Sequence, residues 1–160
     1  MESVLKESME YISQRTPSPT ALPMVVRKHF ASCVTNSKNN LESLSMAGDG
    51  WRDLLLGYCS TDAAKLNTPK SENLSKLYQR YLGIEDLAAR WSCSASDIDD
   101  FVTLRGSIAH KGSSKYVAIG TLRDSADMIY QNCLHFDGEL CAYLHQLIGG
   151  NIQPWRRATN

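Results

Sequence analysis

The residues best suited to chemistry lie in the run Asp99-Asp100-Phe101-Val102-Thr103-Leu104-Arg105-Gly106-Ser107-Ile108-Ala109-His110-Lys111-Gly112. Arg105 offers a planar fork of donors that matches phosphate oxygens. His110 can accept and donate a proton near neutral pH. Together they suit phosphodiester cleavage, one group cradling the phosphoryl oxygens while the other moves a proton. Spacing complicates the pairing. Five residues along a helix rotate the side chain by about 140° beyond one full turn. The two groups therefore do not stack on one face unless the arginine's length, a helix end near His110 or a second subunit brings them together. An Arg-x4-His spacing also has a plain structural reading. Arg105 would then pair with Asp99, Asp100 or another acid, and His110 would cap its own helix.

Flanking residues extend the candidate site. Lys111, Lys115 and Arg123 could steer a polyanion toward the motif, or form an ordinary solvated surface. Tyr116 could stack on a base or pack the start of the next helix. His135 and His145 stand ten residues apart and His29 is remote, so the three read as non-catalytic. No metal site is expected. The lone acid in Gly48-Asp49-Gly50 is a turn signal, and neither an HExxH motif nor a glycine-rich phosphate loop is present.

The elements that must position these residues read as helices. Val4, Leu5, Met9 and Ile12 recur at helical spacing and predict a helix over Glu2 to Gln14, broken by Thr16-Pro17-Ser18-Pro19. A second helix is expected from Pro23 to about Met46, bending or splitting near Asn39-Asn40, with Val26, Phe30, Cys33, Val34, Leu41 and Leu44 as its stripe. Trp51 to Tyr58 fits a short helix, and residues 60–71 a polar loop. Further helices are expected over Glu72 to Leu82, briefly over Ile84 to Trp91, and over Asp97 to His110. The last of these has Ser96 and Asp99 as a capping pair and Phe101, Leu104 and Ile108 as its buried stripe. A long final helix spans Lys115 to Ile148. Its stripe is Ile119, Leu122, Ala126, Ile129, Cys133, Phe136, Leu140, Leu144 and Leu147, ended by Gly149-Gly150. No strand-rich pattern or repeat competes. The fold class is all-α, a four- to five-helix bundle with a long C-terminal helix. Residues 1–150 form one domain and 151–160 a flexible tail.

With 160 residues, 42% of them apolar and 21% charged, the chain can bury one ordinary core. Zero formal net charge argues against a broadly basic nucleic-acid binder, while leaving room for a small local RNA site, especially one shared between subunits. Five cysteines without a CxxC pair read as reduced and partly buried, with Cys133 and Cys141 sharing a core-facing helix side. No apolar run of about 18 residues is present, so no membrane span is expected, and a cytoplasmic location follows.

The segment Leu104-Arg105-Gly106-Ser107-Ile108-Ala109-His110-Lys111-Gly112 resembles the signature of the HEPN superfamily, with its arginine four to six residues before a histidine, its Ile-Ala-His and its trailing glycine. The resemblance extends over about residues 5–148, is specific over residues 98–112, and points to the group associated with predicted RNA-repair and toxin systems (RiboL-PSP-HEPN-like). Met9-Glu10-Tyr11 resembles an acidic position in an early helix of that group. The resemblance implies a metal-independent, cofactor-free endoribonuclease acting on RNA as a homodimer, with both copies of Arg105 and His110 at one interfacial cleft. Arg105 would hold the scissile phosphate and His110 would move protons. The products would be a 2′,3′-cyclic phosphate and a 5′-hydroxyl. Ser107, Lys111, Lys115 and Tyr116 would contact RNA, and an antitoxin or other regulatory protein would be a partner.

The chain departs from the signature at Gly106, where the family usually carries Asn, Asp or another polar residue. That position lies on the histidine's helical face, and glycine cannot orient His110 through a side chain. Two other readings keep the same bundle. One is a non-catalytic module that binds RNA, a nucleotide or a protein; the other is a structural dimerisation domain.

Overall fold

The computed structural model describes residues 2–39, 41–111, 117–149 and 153–155, except the side chains of Glu2, His110 and Lys111. Six α-helices account for most of them: α1 (Glu2–Arg15), α2 (Met24–Thr35), α3 (Gly50–Ala64), α4 (Ser71–Leu82), α5 (Ala95–Lys111) and α6 (Ile119–Ile148). Short 3₁₀ turns fill parts of the connections. No strand occurs among the described residues, so the chain is all-helical as expected.

Each helix is amphipathic for a reason visible in its spacing. In α4, Leu74, Leu77, Tyr78, Tyr81 and Leu82 are all buried, the three- and four-residue steps of one helical face. That face meets α1, α2 and α3, while α5 also rests on α4. In α3 the buried residues are Trp51, Leu55, Cys59 and Ala63, at intervals of four. This row carries the helix through residues expected to be loop, because Cys59 and Ala63 continue the stripe begun by Trp51. Leu5, Met9 and Ile12 of α1 and Phe136, Leu140 and Leu144 of α6 complete the core. Each large apolar side chain fully removed from water contributes about 1.5–3 kcal/mol before entropy is counted.

Several expected elements differ from those observed. The second helix stops at Thr35, well short of Met46. Local side-chain bonds to the backbone compete with the helix there: the Asn39 N–H donates to Ser37 Oγ (3.1 Å) and the Leu41 N–H to Asn39 Oδ1 (3.1 Å). Leu41 and Leu44 consequently lie exposed instead of joining a stripe. The segment around Ile84 to Trp91 contains only the 3₁₀ turn Ala88–Arg90, although Ile84, Leu87 and Trp91 are buried. It follows Gly83, which ends α4 at φ 74°, where a Cβ would also lie 3.2 Å from the Pro23 side chain. Glycine meets both the dihedral and the space constraint.

The start of α5 is capped two residues earlier than expected. Ser94 and Asp97 satisfy each other reciprocally: the Ser94 N–H donates to Asp97 Oδ2 (2.9 Å) and the Asp97 N–H to Ser94 Oγ (3.1 Å). The Ser94 hydroxyl (2.7 Å) and the Ser94 N–H, both donating to Oδ2, hold the Asp97 carboxyl below the usual range. Asp99 does something else. Its Oδ1 accepts the Ser71 N–H (2.7 Å), so a carboxylate from α5 satisfies an orphan donor in the first turn of α4.

The buried stripes of α5 and α6 are shorter than expected. On α5 only Ile98 is buried, Phe101 and Leu104 are half-buried, and Ile108 is exposed. On α6, Phe136, Leu140 and Leu144 are buried but Ile119, Leu122, Ala126 and Cys133 are exposed. Cys141 is core as expected; Cys133 is not. At the far end of α6, Trp155 donates its indole N–H to Asp137 Oδ1 (2.9 Å), which fixes part of the expected tail.

Asp99→Ala should lower stability by about 1 kcal/mol, the ordinary scale for losing a carboxylate cap. Urea unfolding should show a lower midpoint with an unchanged m-value, and Asp99→Asn should retain part of the loss. Equal midpoints for wild type and Asp99→Ala would remove Asp99 as the tie between α5 and α4.

Candidate active site on the fifth helix

The α5 backbone is helical through Arg105 and His110 up to Lys111. The two α-carbons therefore keep the offset of about 140° that five helical residues impose. No local unwinding before Lys111 reduces it. The His110 and Lys111 side chains lie outside the described atoms, as do Lys115 and Tyr116 entirely.

Arg105 is exposed. Among the described residues, no carboxylate lies within ion-pair distance of its guanidinium. The plain reading of Arg105 as half of an ion pair with Asp99 or Asp100 is thus not what the chain adopts. Asp99 is turned to the α4 terminus, and Asp100 is exposed. An arginine carries substantial rotamer entropy and five donors, so one left solvated keeps them all for an anion.

Ser107 is half-buried, and its hydroxyl donates to the Leu104 carbonyl (2.8 Å). Arg123 lies exposed near the start of α6. Gly106 sits in the helix interior, and a Cβ built there meets no other atom within 4 Å. Neither a tight turn nor a close approach within the chain demands glycine at this position.

The fold also assembles a group that the sequence hides. His29 and Cys33 are one turn apart on α2, with Nε2 and Sγ at 3.6 Å. Asp62 on α3 reaches the same ring nitrogen at 3.7 Å, and Tyr81 of α4 donates its hydroxyl to Asp62 Oδ2 (2.8 Å). Cys, His and Asp in contact suggest an activated nucleophile, but the geometry is wrong for one. A triad needs the base to meet the nucleophile and the acid through opposite ring nitrogens, and here both face Nε2. Burial pushes the His29 imidazole down and the Cys33 thiol up, the reverse of a thiolate–imidazolium pair. The group is a half-buried polar tie among α2, α3 and α4. The i, i+4 spacing of His29 and Cys33 was legible in the sequence; the arrival of Asp62 and Tyr81 was not. No cluster of three or more His, Cys, Asp or Glu able to hold a metal occurs among the described residues.

Because Gly106 lies in open helix, Gly106→Ala should raise stability by up to about 1 kcal/mol through helix propensity alone. A thermal midpoint that rises or stays level agrees with this; a clear fall would mean that something in the assembled protein needs the glycine.

No protein-family model, curated protein or solved structure matches this chain.

Proposed function

We propose that the chain is a metal-independent endoribonuclease that works as a homodimer, with Arg105 and His110 as its catalytic residues. The observation that carries this reading is the state of Arg105: exposed, and paired with no acid among the described residues, on the same helix as His110. The resemblance of residues 98–112 to the HEPN signature gives that arginine its role. His110 takes the proton from a ribose 2′-hydroxyl, or supplies one to the departing 5′-oxygen. The 2′-oxygen attacks phosphorus, the bond to the 5′-oxygen breaks, and a 2′,3′-cyclic phosphate and a 5′-hydroxyl result. Arg105 holds the phosphoryl oxygens as charge grows on them. Ser107, Lys111, Lys115 and Tyr116 contact the RNA around the cut. Five free cysteines suit a reducing, cytoplasmic setting, and no helix among the described residues is long and apolar enough to cross a membrane. A regulatory protein such as an antitoxin would restrain the activity.

A second subunit would supply what one α5 lacks, since about 140° separates its two residues. The exposed half of α6 supports this. Ile119 (77% exposed), Leu122, Ala126 and Tyr130 (58% exposed) follow helical spacing, and Arg123, Asp124 and Asp127 flank them with both signs of charge. Such a stripe complements a copy of itself. Gly106 favours the second reading, a binding module without turnover, because no side chain stands there to orient the histidine.

Purified protein in EDTA should cut labelled RNA and leave DNA of the same sequence intact, with cyclic-phosphate ends. Arg105→Ala and His110→Ala should each lose about 10²-fold or more in rate while staying folded. Failure of a folded wild-type dimer to cut a diverse RNA set would transfer the assignment to the binding module. By sedimentation the wild type should have twice the chain mass, and Leu122→Glu combined with Tyr130→Glu should shift it to a monomer. An unchanged mass in that variant would locate the dimer contact elsewhere or exclude it.

A further inference from the structure

The end of α3 and the connection after it, with α4, α5 and the middle of α6, line a pocket of about 380 Å³ that opens to solvent on one side. This lies within the range of small-molecule sites. Its walls include Leu66, Leu77, Phe101, Val102 and Ile129, and no charged residue lines it among those described. A charged ligand would lose its hydration there without compensation, so the site suits a neutral one.

One polar group in the wall is incompletely used. Asn132 is 4% exposed. Its Oδ1 accepts the Ser92 N–H (2.8 Å) and faces the Ser92 hydroxyl (3.4 Å). These bonds fix the carboxamide and tie the segment before α5 to α6. The amide nitrogen, with two donors, pairs with none of the described residues. This nitrogen is not among the fully buried unpaired atoms of the described residues, so water reaches it through the cavity, and a ligand acceptor placed there would take that water's place. The position and the orientation of this donor are already held by Ser92, so a ligand would bear little cost in ordering it.

We propose that this cavity binds a small neutral molecule with an apolar body and one hydrogen-bond acceptor, the body filling the space between α4, α5 and α6 and the acceptor meeting the Asn132 amide. The site does not rest on the ribonuclease reading. It adjoins the same helix: Val102, in its wall, lies one turn before Arg105. An occupant would brace α5 where few of its own side chains are buried.

The test uses two probes of nearly the same shape, acetophenone and α-methylstyrene, which differ in whether a carbonyl oxygen or a methylene group is present. Titrated into the isotope-labelled full chain, acetophenone should shift backbone amides of residues 74–78, 98–102 and 129–133 saturably. It should bind about threefold to tenfold more tightly than α-methylstyrene, the usual worth of one hydrogen bond. Ile129→Trp, and independently Ala63→Leu should the first not fold, should fill the cavity and abolish the shifts while circular dichroism stays helical. The proposal is overturned if neither probe shifts these amides, if the two bind equally, or if a folded, filled variant binds as wild type does. None of these outcomes depends on RNA cleavage.

Discussion

The bundle depends on the burial of α4. Leu74, Leu77, Tyr78, Tyr81 and Leu82 bring this helix into contact with α1, α2 and α3, and α5 rests on it as well. Removing one of these side chains would cost a transfer term and a cavity term, about 2–5 kcal/mol for a leucine. The polar links reinforce the same hub. Asp99 satisfies its first turn, Tyr81 reaches Asp62, and Tyr143 of α6 donates to the Leu82 carbonyl (2.7 Å) at its end. Because α5 is attached to this hub mainly through its N-terminal half, the hub sets where Arg105 can be.

The attachment is uneven, and that unevenness is the main functional clue in the fold. The first turns of α5 are capped and partly buried, whereas Arg105 and Ile108 face outward. In α6 the core ends at Asn132, and the preceding turns carry apolar side chains that nothing described here covers. That stripe is the surface which the proposed dimer would cover. The cavity sits at this boundary, with Ile129, Asn132 and Cys133 in its wall.

Much of the architecture was legible in the sequence. Apolar spacing located α1, α4 and α6 to within a few residues, and Gly149 ends α6 at φ 67° as its place after the last stripe residue suggested. These features depend on neighbours three and four residues away, which a sequence displays directly. The motif on α5 was legible for the same reason, as a set of residue types at fixed intervals. The end of α2 was harder, because Ser37 and Asn39 satisfy local backbone groups with their own side chains, and several backbone outcomes share that composition.

Local sequence thus determined which segments are helical, which faces are apolar, and that Arg105 and His110 share one helix. Tertiary structure decided which apolar faces are covered. Cys133 and Cys141 look alike in sequence, yet Cys141 is buried beneath the Trp155 carbonyl (3.6 Å) while Cys133 stays exposed in the wall of the cavity, because different neighbours meet α6 at the two turns. It likewise decided that Asp99 serves α4 and leaves Arg105 unpaired among the described residues, and that Asp62 and Tyr81 meet His29. Periodicity specifies a face but not its neighbour; the neighbour follows only when helices distant in the chain compete to bury the same limited surface.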